Sequence, residues 1–493
     1  MISRLADSYA AKAAFLLLFI GFLGVLVLRV ILSFSYVPET GGVSVNVMFG
    51  IMRMLDNHSL YTNPERPPFP IIQYMPLHYY VVAGIAQLLR IDQDLHLVMV
   101  LNRLLCLVFD LLLFIPVQRI LWHIFMIKNR KICWAVCFSI FLILPNTNYG
   151  RIDNLYLLSF GFAIYYFLGF LSLFKNKYGA EIVFAAIFGS LSFFTKQSGM
   201  FLLVSMFLFL LIYVRDKRAI LIFSSVTAIT CLLLFAILIG SNYQNWFLNA
   251  VRGLENGINL SWFQEVFIEK FFRKMYFFVA GGLALALISC SRDRDIRERF
   301  LGFTALIIFL FALLSSLKWG SSINYFTEFL ALTFILSAVY FKHYSVLYPA
   351  AKLFFLFLTP FFIMNVYNDK GWNYLKDIKR SEKDYADCKR VAGFFKDNVK
   401  NDEYIFTAFH RENLMNLLIG EKALFPTREI VFYCAEPAKV FSYELYRDMV
   451  ANGNVKYLVG KKGLQPDIFL GAEFKNYKSI FVHGNYEVFQ FSR

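Results

Sequence analysis

The sequence predicts an α-helical polytopic membrane protein, with about eleven transmembrane helices and juxtamembrane helices between them, ending in a small C-terminal α/β soluble domain. Three observations carry this. The 493 residues are 58% hydrophobic and only 17% charged, where soluble domains run nearer about 25% charged. The mean hydropathy is +0.55, and apolar runs repeatedly reach the roughly 20 residues that a helix needs to span hydrocarbon. After residue 369 the composition turns charged and mixed, with no spanning run.

The predicted spans are 12–33, 95–118, 132–147, 155–174, 179–195, 198–214, 219–240, 271–290, 300–317, 324–341 and 346–366. A cytoplasmic N-terminus, with Arg4 and Lys12, puts Arg119, Lys128, Arg130 and Lys131 on the cytoplasmic side. Lys175, Lys177, Arg215, Lys217, Arg218, the Arg292–Arg299 cluster and Lys342 fall there too. The opposite loops are poor in Lys and Arg and rich in Tyr, Trp, Asn and Gly, as the positive-inside bias requires. The formal charge of +15 is therefore an orientation signal, and nucleic acid is not an expected partner.

Residues 76–92 would invert every later loop if they crossed, so they are expected to lie in the interface. Residues 43–55 have the same character, with Met48, Ile51, Met52 and Leu55 on one helical face. The first outer loop, 34–94, is thus expected to be structured. The N-terminal apolar stretch exceeds a signal-peptide core and no A-x-A-like site follows, so it reads as a retained anchor. The division expected is a membrane domain over 1–369, with outer loops at 34–94 and 241–270, and an extracytoplasmic α/β domain over 370–493. That second domain shows a helical face at Tyr385–Val399 and β-like runs at Tyr404–Ala408, Ile430–Cys434, Tyr457–Val459, Ser479–Val482 and Tyr486–Phe491.

Five of the seven cysteines sit in or at the ends of spans as small hydrophobes. Cys388 and Cys434 share the outer domain, where either a disulfide or two thiols is consistent with the spacing. The seven His are scattered, with no H-E-x-x-H or C-x-x-C.

The polar residues gather on the outer side. They include Glu39, Tyr61, Tyr74, Tyr79 and Tyr80 in the first outer loop, and Arg151 and Asp153 in the second. Lys196 stands in the third, with Lys318, Asn324 and Tyr325 in the fifth and Glu328 one turn into the next span. Ionisable groups held at membrane depth are costly and mark function by default. Asp110 lies seven residues from Arg103 on one helical face, and that pair is expected to be structural.

With these residues in order, the chain resembles the polytopic membrane glycosyltransferases of the GT-C class. The likeness is greatest to the branch holding protein O-mannosyltransferases, the lipid A aminoarabinose transferase and related bacterial enzymes. It rests on an acid after the first span (Glu39), the Y-x-P-L-x-Y-Y-like segment Tyr74–Tyr80, an R-x-D-x-L setting at Arg151–Leu155 and a Thr195-Lys196 span end. A large fourth outer loop and a C-terminal outer domain complete it. The family's first acid is commonly Asp followed by Glu; here Glu39 precedes Thr40, and Asp56 is the alternative.

The resemblance implies inverting transfer of a sugar from a polyprenyl-phosphate donor to the hydroxyl of a glycan, lipid or protein acceptor. It implies a plasma (inner) membrane protein with its site on the extracytoplasmic side. Glu39 would take the acceptor proton, with Asp153 as second acid, orienter or metal ligand. Lys196 would stabilise the departing phosphate, and Arg151 would bind the phosphate or pair with Asp153. Tyr61, Tyr74, Tyr79, Asn324, Tyr325 and Glu328 are candidates for a substrate or lipid groove. Relatives differ in needing a divalent ion, so Mg or Mn stays open. A lipid-linked glycan transporter or flippase would place its ionisable residues nearer the midplane. An O-antigen ligase or polymerase would carry a long Arg- and His-rich late loop.

Overall fold

The structure, a computed structural model, describes residues 2–37, 43–143, 150–173, 179–343, 371–407, 414–427, 440–442, 444–463 and 472–492. Glu39, the predicted span 346–366, the run Ile430–Cys434 and the second cysteine of the suggested disulfide lie outside the described residues.

Among those residues, seven stretches are long and apolar enough to cross a membrane: Lys12–Ser33, Leu95–Ile124, Asp153–Leu173, Lys217–Leu238, Leu260–Ser289, Ile296–Ser316 and Ile323–Lys342. Three other expected crossings are shorter helices within the described residues, at Arg130–Ile143, Ala180–Thr195 and Gly199–Val214.

The helices that matter below are α1 (Ile2–Ser33), α2 (Val43–Leu55), α3 (Leu77–Leu88) and α4 (Leu95–Leu112). They continue with α5 (Phe114–Arg119), α6 (Arg130–Ile143), α7 (Asp153–Leu173), α8 (Ala180–Thr195) and α9 (Gly199–Phe209). The membrane part closes with α10 (Lys217–Leu238), α11 (Tyr243–Ala250), α12 (Leu260–Phe263), α13 (Arg273–Ser289), α14 (Ile296–Ser316) and α15 (Thr327–His343).

The spans differ in how much they bury, from 6% of Lys217–Leu238 to 78% of Ile323–Lys342. In α1, Leu18, Phe22, Val25, Arg29 and Leu32 are buried at helical spacing, while Leu16, Leu17, Ile20, Leu23 and Val27 stay exposed. The second span breaks where Pro116 stands: it offers no N–H and its ring crowds the carbonyl four residues back, at Leu112, where α4 ends. Small residues let helices close. A Cβ on Gly302 would meet the Ala286 carbonyl oxygen of α13 at 2.5 Å.

The segment between the first two spans is a packed module. Its helices α2 and α3 match the two interfacial segments expected from the sequence. Their apolar faces join Leu60, Tyr61, Ile72 and Met75 in one core, closed from the C-terminal side by Leu414 and Leu417.

The C-terminal part carries a five-stranded sheet in the order β2-β1-β3-β5-β4, with β1 at Tyr404–Thr407, β2 at Ala423–Leu424, β3 at Val455–Lys461, β4 at Tyr477–His483 and β5 at Tyr486–Phe491. β1 pairs in parallel with β2 and β3, while β5 runs antiparallel to β3 and β4. Strand residues alternate between two cores. Ile405, Tyr457, Val459 and Val488 pack on the helix Gly371–Asn398 through Cys388, Val391 and Phe395. Phe406, Leu458 and Phe489 face the other way, onto Phe69 and Ile71 of the segment between the first two spans. Cys388 donates from its thiol to the Tyr486 hydroxyl at 3.1 Å.

Candidate functional site

Asp153 opens α7, Lys196 follows the last residue of α8, and Asn324, Tyr325 and Glu328 stand at the start of the span that contains α15. Three helix ends from distant stretches of sequence thus meet at one face of the bundle. The Lys196 Nζ donates to Asp153 Oδ1 at 2.6 Å, and the Asn324 Nδ2 reaches the same oxygen at 3.4 Å. The Arg151 Nε lies 4.0 Å from Asp153 Oδ2. The ammonium of Lys196 also sits 5.3 Å from the centre of the Tyr156 ring and 5.7 Å from that of Tyr325, within cation–π range. The buried Glu328 carboxyl, 3% exposed, is a charged neighbour of both Lys196 and Tyr156. One lysine is thus held between a carboxylate and two aromatic faces.

The turn that delivers Lys196 is tight. Gly199 N donates to the Lys196 carbonyl at 2.9 Å, and a Cβ on Gly199 would meet the Phe193 nitrogen at 2.4 Å. From the same turn, Gln197 Nε2 donates to the carbonyls of Gln73 and Ala250 at 2.5 and 3.0 Å, tying the segments 43–94 and 241–259 to it.

Beside this cluster lies a buried polar chain. Asn102 Nδ2 donates to the Gly150 carbonyl at 3.1 Å, so its Oδ1 faces His78 Nε2 at 2.9 Å and accepts from it. That fixes His78 with its proton on Nε2. Burial pushes the His78 imidazole down to about 4, so it is neutral near pH 7. Among the described residues Lys318 of the fifth loop makes no ion pair, and burial pushes its ammonium down to about 8.

The expected Arg103–Asp110 pair does not form. Asp110 Oδ2 accepts from Arg29 at 2.5 Å and from Asn154 Nδ2 at 2.7 Å. Arg103 instead donates to the carbonyls of Leu32, Ser35 and Val37 at 3.1, 2.5 and 2.8 Å. The reason is reach. Arg29 points into the helix bundle at the level of Asp110, and the chain just past α1 presents the carbonyls of Ser35 and Val37 to Arg103.

Of the tyrosines expected to line a groove, Tyr61 and Tyr79 are each 1% exposed and belong to the core formed by α2 and α3. The Tyr61 hydroxyl donates to the Tyr74 carbonyl at 2.7 Å, and Tyr74 packs at the margin of that core. Asp56 is exposed at the end of α2. No group of three or more His, Cys, Asp or Glu side chains able to hold a metal occurs among the described residues.

The arrangement of the whole chain can be set beside solved structures. ArnT from Cupriavidus metallidurans bound to undecaprenyl phosphate superposes with a TM-score of 0.61, covering 95% of this chain and 97% of that one at 11% identity. The archaeal oligosaccharyltransferase AglB from Archaeoglobus fulgidus, in complex with an inhibitory peptide and a dolichol-phosphate, gives 0.52 over 94% of this chain and 74% of its own, at 12% identity. The chain has the GT-C fold. No family model matches its sequence, and no curated protein matches it either. At such identity the likeness is one of fold, carried by helix order and packing.

Within this GT-C fold, sequence reasoning missed Arg29, His78, Asn102 and Tyr156 as members of the buried polar system. An arginine inside an apolar span was the available signal for Arg29. His78 stands inside the quoted Tyr74–Tyr80 segment, but nothing local told of Asn102, 24 residues on.

Proposed function

We propose that this chain is a membrane glycosyltransferase that moves a sugar, with inversion, from a polyprenyl-phosphate donor to a hydroxyl of an extracytoplasmic acceptor. The observation that carries it is the fold likeness over 95% of the chain to a protein solved with undecaprenyl phosphate. A buried acid–cation cluster where three helix ends meet supports the same reading.

In the reaction, the acceptor oxygen bonds the anomeric carbon as the bond from that carbon to the phosphate oxygen breaks. The acceptor proton passes to a carboxylate, assigned to Glu39, and the electron pair leaves on the polyprenyl phosphate. Lys196 and Arg151 stabilise that charge. Asp153 keeps the Lys196 ammonium charged in an otherwise apolar setting and orients it. The site and the C-terminal domain, residues 370–493, face away from the cytoplasm of the plasma (inner) membrane in this proposal. Glycans, lipids and proteins are the acceptor classes.

The test incubates the purified protein with a panel of polyprenyl-phosphate sugars and measures released polyprenyl phosphate and transferred sugar. Glu39→Gln, Asp153→Asn and Lys196→Ala should each lose most turnover. Full activity in all three sinks the mechanism. A chelator arm of the same assay decides whether Mg or Mn takes part.

A further inference from the structure

Helix α4 carries Asn102, Cys106 and Asp110 four residues apart, so the three form one stripe. Each is 0% exposed. A stripe serving helix packing alone would need no polar atoms, and burying them costs free energy unless each is bonded. Here every one bonds the same short stretch, residues 150–154. Asn102 Nδ2 donates to the Gly150 carbonyl at 3.1 Å, and the Cys106 thiol donates to the Arg151 carbonyl at 3.1 Å. Asp110 accepts from Asn154 Nδ2 at 2.7 Å. The bonded residues flank Asp153 on both sides, and Asp153 itself is left to Lys196. The approach is close because Gly150 adopts φ 86°, a left-handed backbone where a Cβ would stand 3.4 Å from Asn102 Nδ2.

We propose that Asn102, Cys106 and Asp110 are positioning residues, which lock the register of the turn into α7 and so fix the Asp153 carboxylate and the Lys196 ammonium relative to the reacting sugar. Arg29 serves the stripe by neutralising Asp110 at 2.5 Å. The role rests on the glycosyl-transfer reading for its catalytic consequence, but the locking itself is a property of the chain.

The test has two arms on the purified full-length protein. In the first, turnover of a polyprenyl-phosphate sugar is measured for Asn102→Ala, Cys106→Ala and Cys106→Ser. Misplacing a reacting group by about 1 Å costs up to roughly 100-fold. Asn102→Ala should therefore lower kcat about 10- to 100-fold with KM changed less than about 3-fold, and Cys106→Ala should lower it less. Cys106→Ser, which restores a donor, should recover most of the Cys106→Ala loss. In the second arm, hydrogen exchange of peptides covering 150–156 is read by mass spectrometry. It should speed up in both alanine variants and return towards the wild-type rate in Cys106→Ser. Unchanged exchange in Asn102→Ala overturns the locking. Faster exchange with unchanged kcat overturns the catalytic role. If the wild-type protein turns over no lipid-linked sugar, the glycosyl-transfer reading fails, while the exchange arm still decides the locking. Asn102→Ala keeps the Arg29–Asp110 pair intact, so folding is not at stake through a stranded charge.

Discussion

The ammonium of Lys196 lies 2.6 Å from the Asp153 carboxylate, and neither side chain is more than 6% exposed. A buried pair of this kind is held by mutual neutralisation, and removing one partner strands the other. Such single removals cost about 3–5 kcal/mol. Lys196→Ala and Asp153→Asn should each lower the melting temperature in detergent. The double variant Asp153→Asn/Lys196→Met, in which neither member of the pair stays charged without the other, should regain part of it. Turnover should stay lost in all three. A double variant no more stable than the singles would show that the pair is not an isolated neutralising unit.

His78 gives a pH signature. Its imidazole is held near 4 by burial, against an ordinary value of 6.5. Between these values the unfolded chain binds a proton that the folded chain refuses, so stability rises with pH across the window. The contribution is lost as pH falls from about 6.5 to 4, at most about 3.4 kcal/mol at 1.36 kcal/mol per unit. Melting temperatures of the wild type and His78→Gln, measured at intervals from pH 4 to 7, should converge towards pH 4, with the wild type falling more steeply. Parallel curves would place His78 in contact with water.

Much of the fold was legible because its signals are local. The helix expected at 43–55 is α2, Val43–Leu55, and the strands expected near Tyr404, Tyr457, Ser479 and Tyr486 all form. Each depends on a periodicity written within a few residues. Asp153 and Lys196 were legible as candidates because ionisable residues at span ends are rare and costly. The partner of Asp110 was not legible. Arg103 sits seven residues away on the same helix, whereas Arg29 is 81 residues away on another, and only packing decides between them. The same holds for Tyr61 and Tyr79, whose aromatic character fits an open groove or a closed core equally well.

The turn before α9 is sensitive to one methyl group. A Cβ on Gly199 would stand 2.4 Å from the Phe193 nitrogen and 2.5 Å from the Ser192 carbonyl carbon. These are backbone atoms of α8, so no side chain can swing aside. Gly199→Ala must separate α8 from the turn and displace Lys196, three residues earlier. Overpacking of this sort costs about 1–3 kcal/mol. Turnover should fall along with the melting temperature, whereas Gly281→Ala, where nothing lies within 4 Å, should leave both unchanged. Equal behaviour of the two variants would contradict the close approach.

Phe69 and Phe425 join the segment between the first two spans to the C-terminal sheet. Their rings stack at 4.9 Å and 16°, and the Phe425 N–H donates to the Pro68 carbonyl at 2.7 Å. Both residues hold left-handed backbone, at φ 58° and 50°, a conformation that costs a non-glycine residue about 1–2 kcal/mol. Phe69 is 0% exposed, so truncating it to alanine should cost about 3–5 kcal/mol. Replacement by glycine opens the same cavity but releases the backbone strain. The usual order is therefore reversed: Phe69→Gly should be more stable than Phe69→Ala by about 1 kcal/mol, although glycine is ordinarily the more destabilising of the two. Thermal melting of the three proteins measures this directly. Loosening of the junction should also open the segment from Tyr61 to Gln73 to protease, faster in the alanine variant than in the glycine variant. Alanine equal to or better than glycine in both measurements would mean that the contact, not the backbone conformation, carries all the energy at this junction.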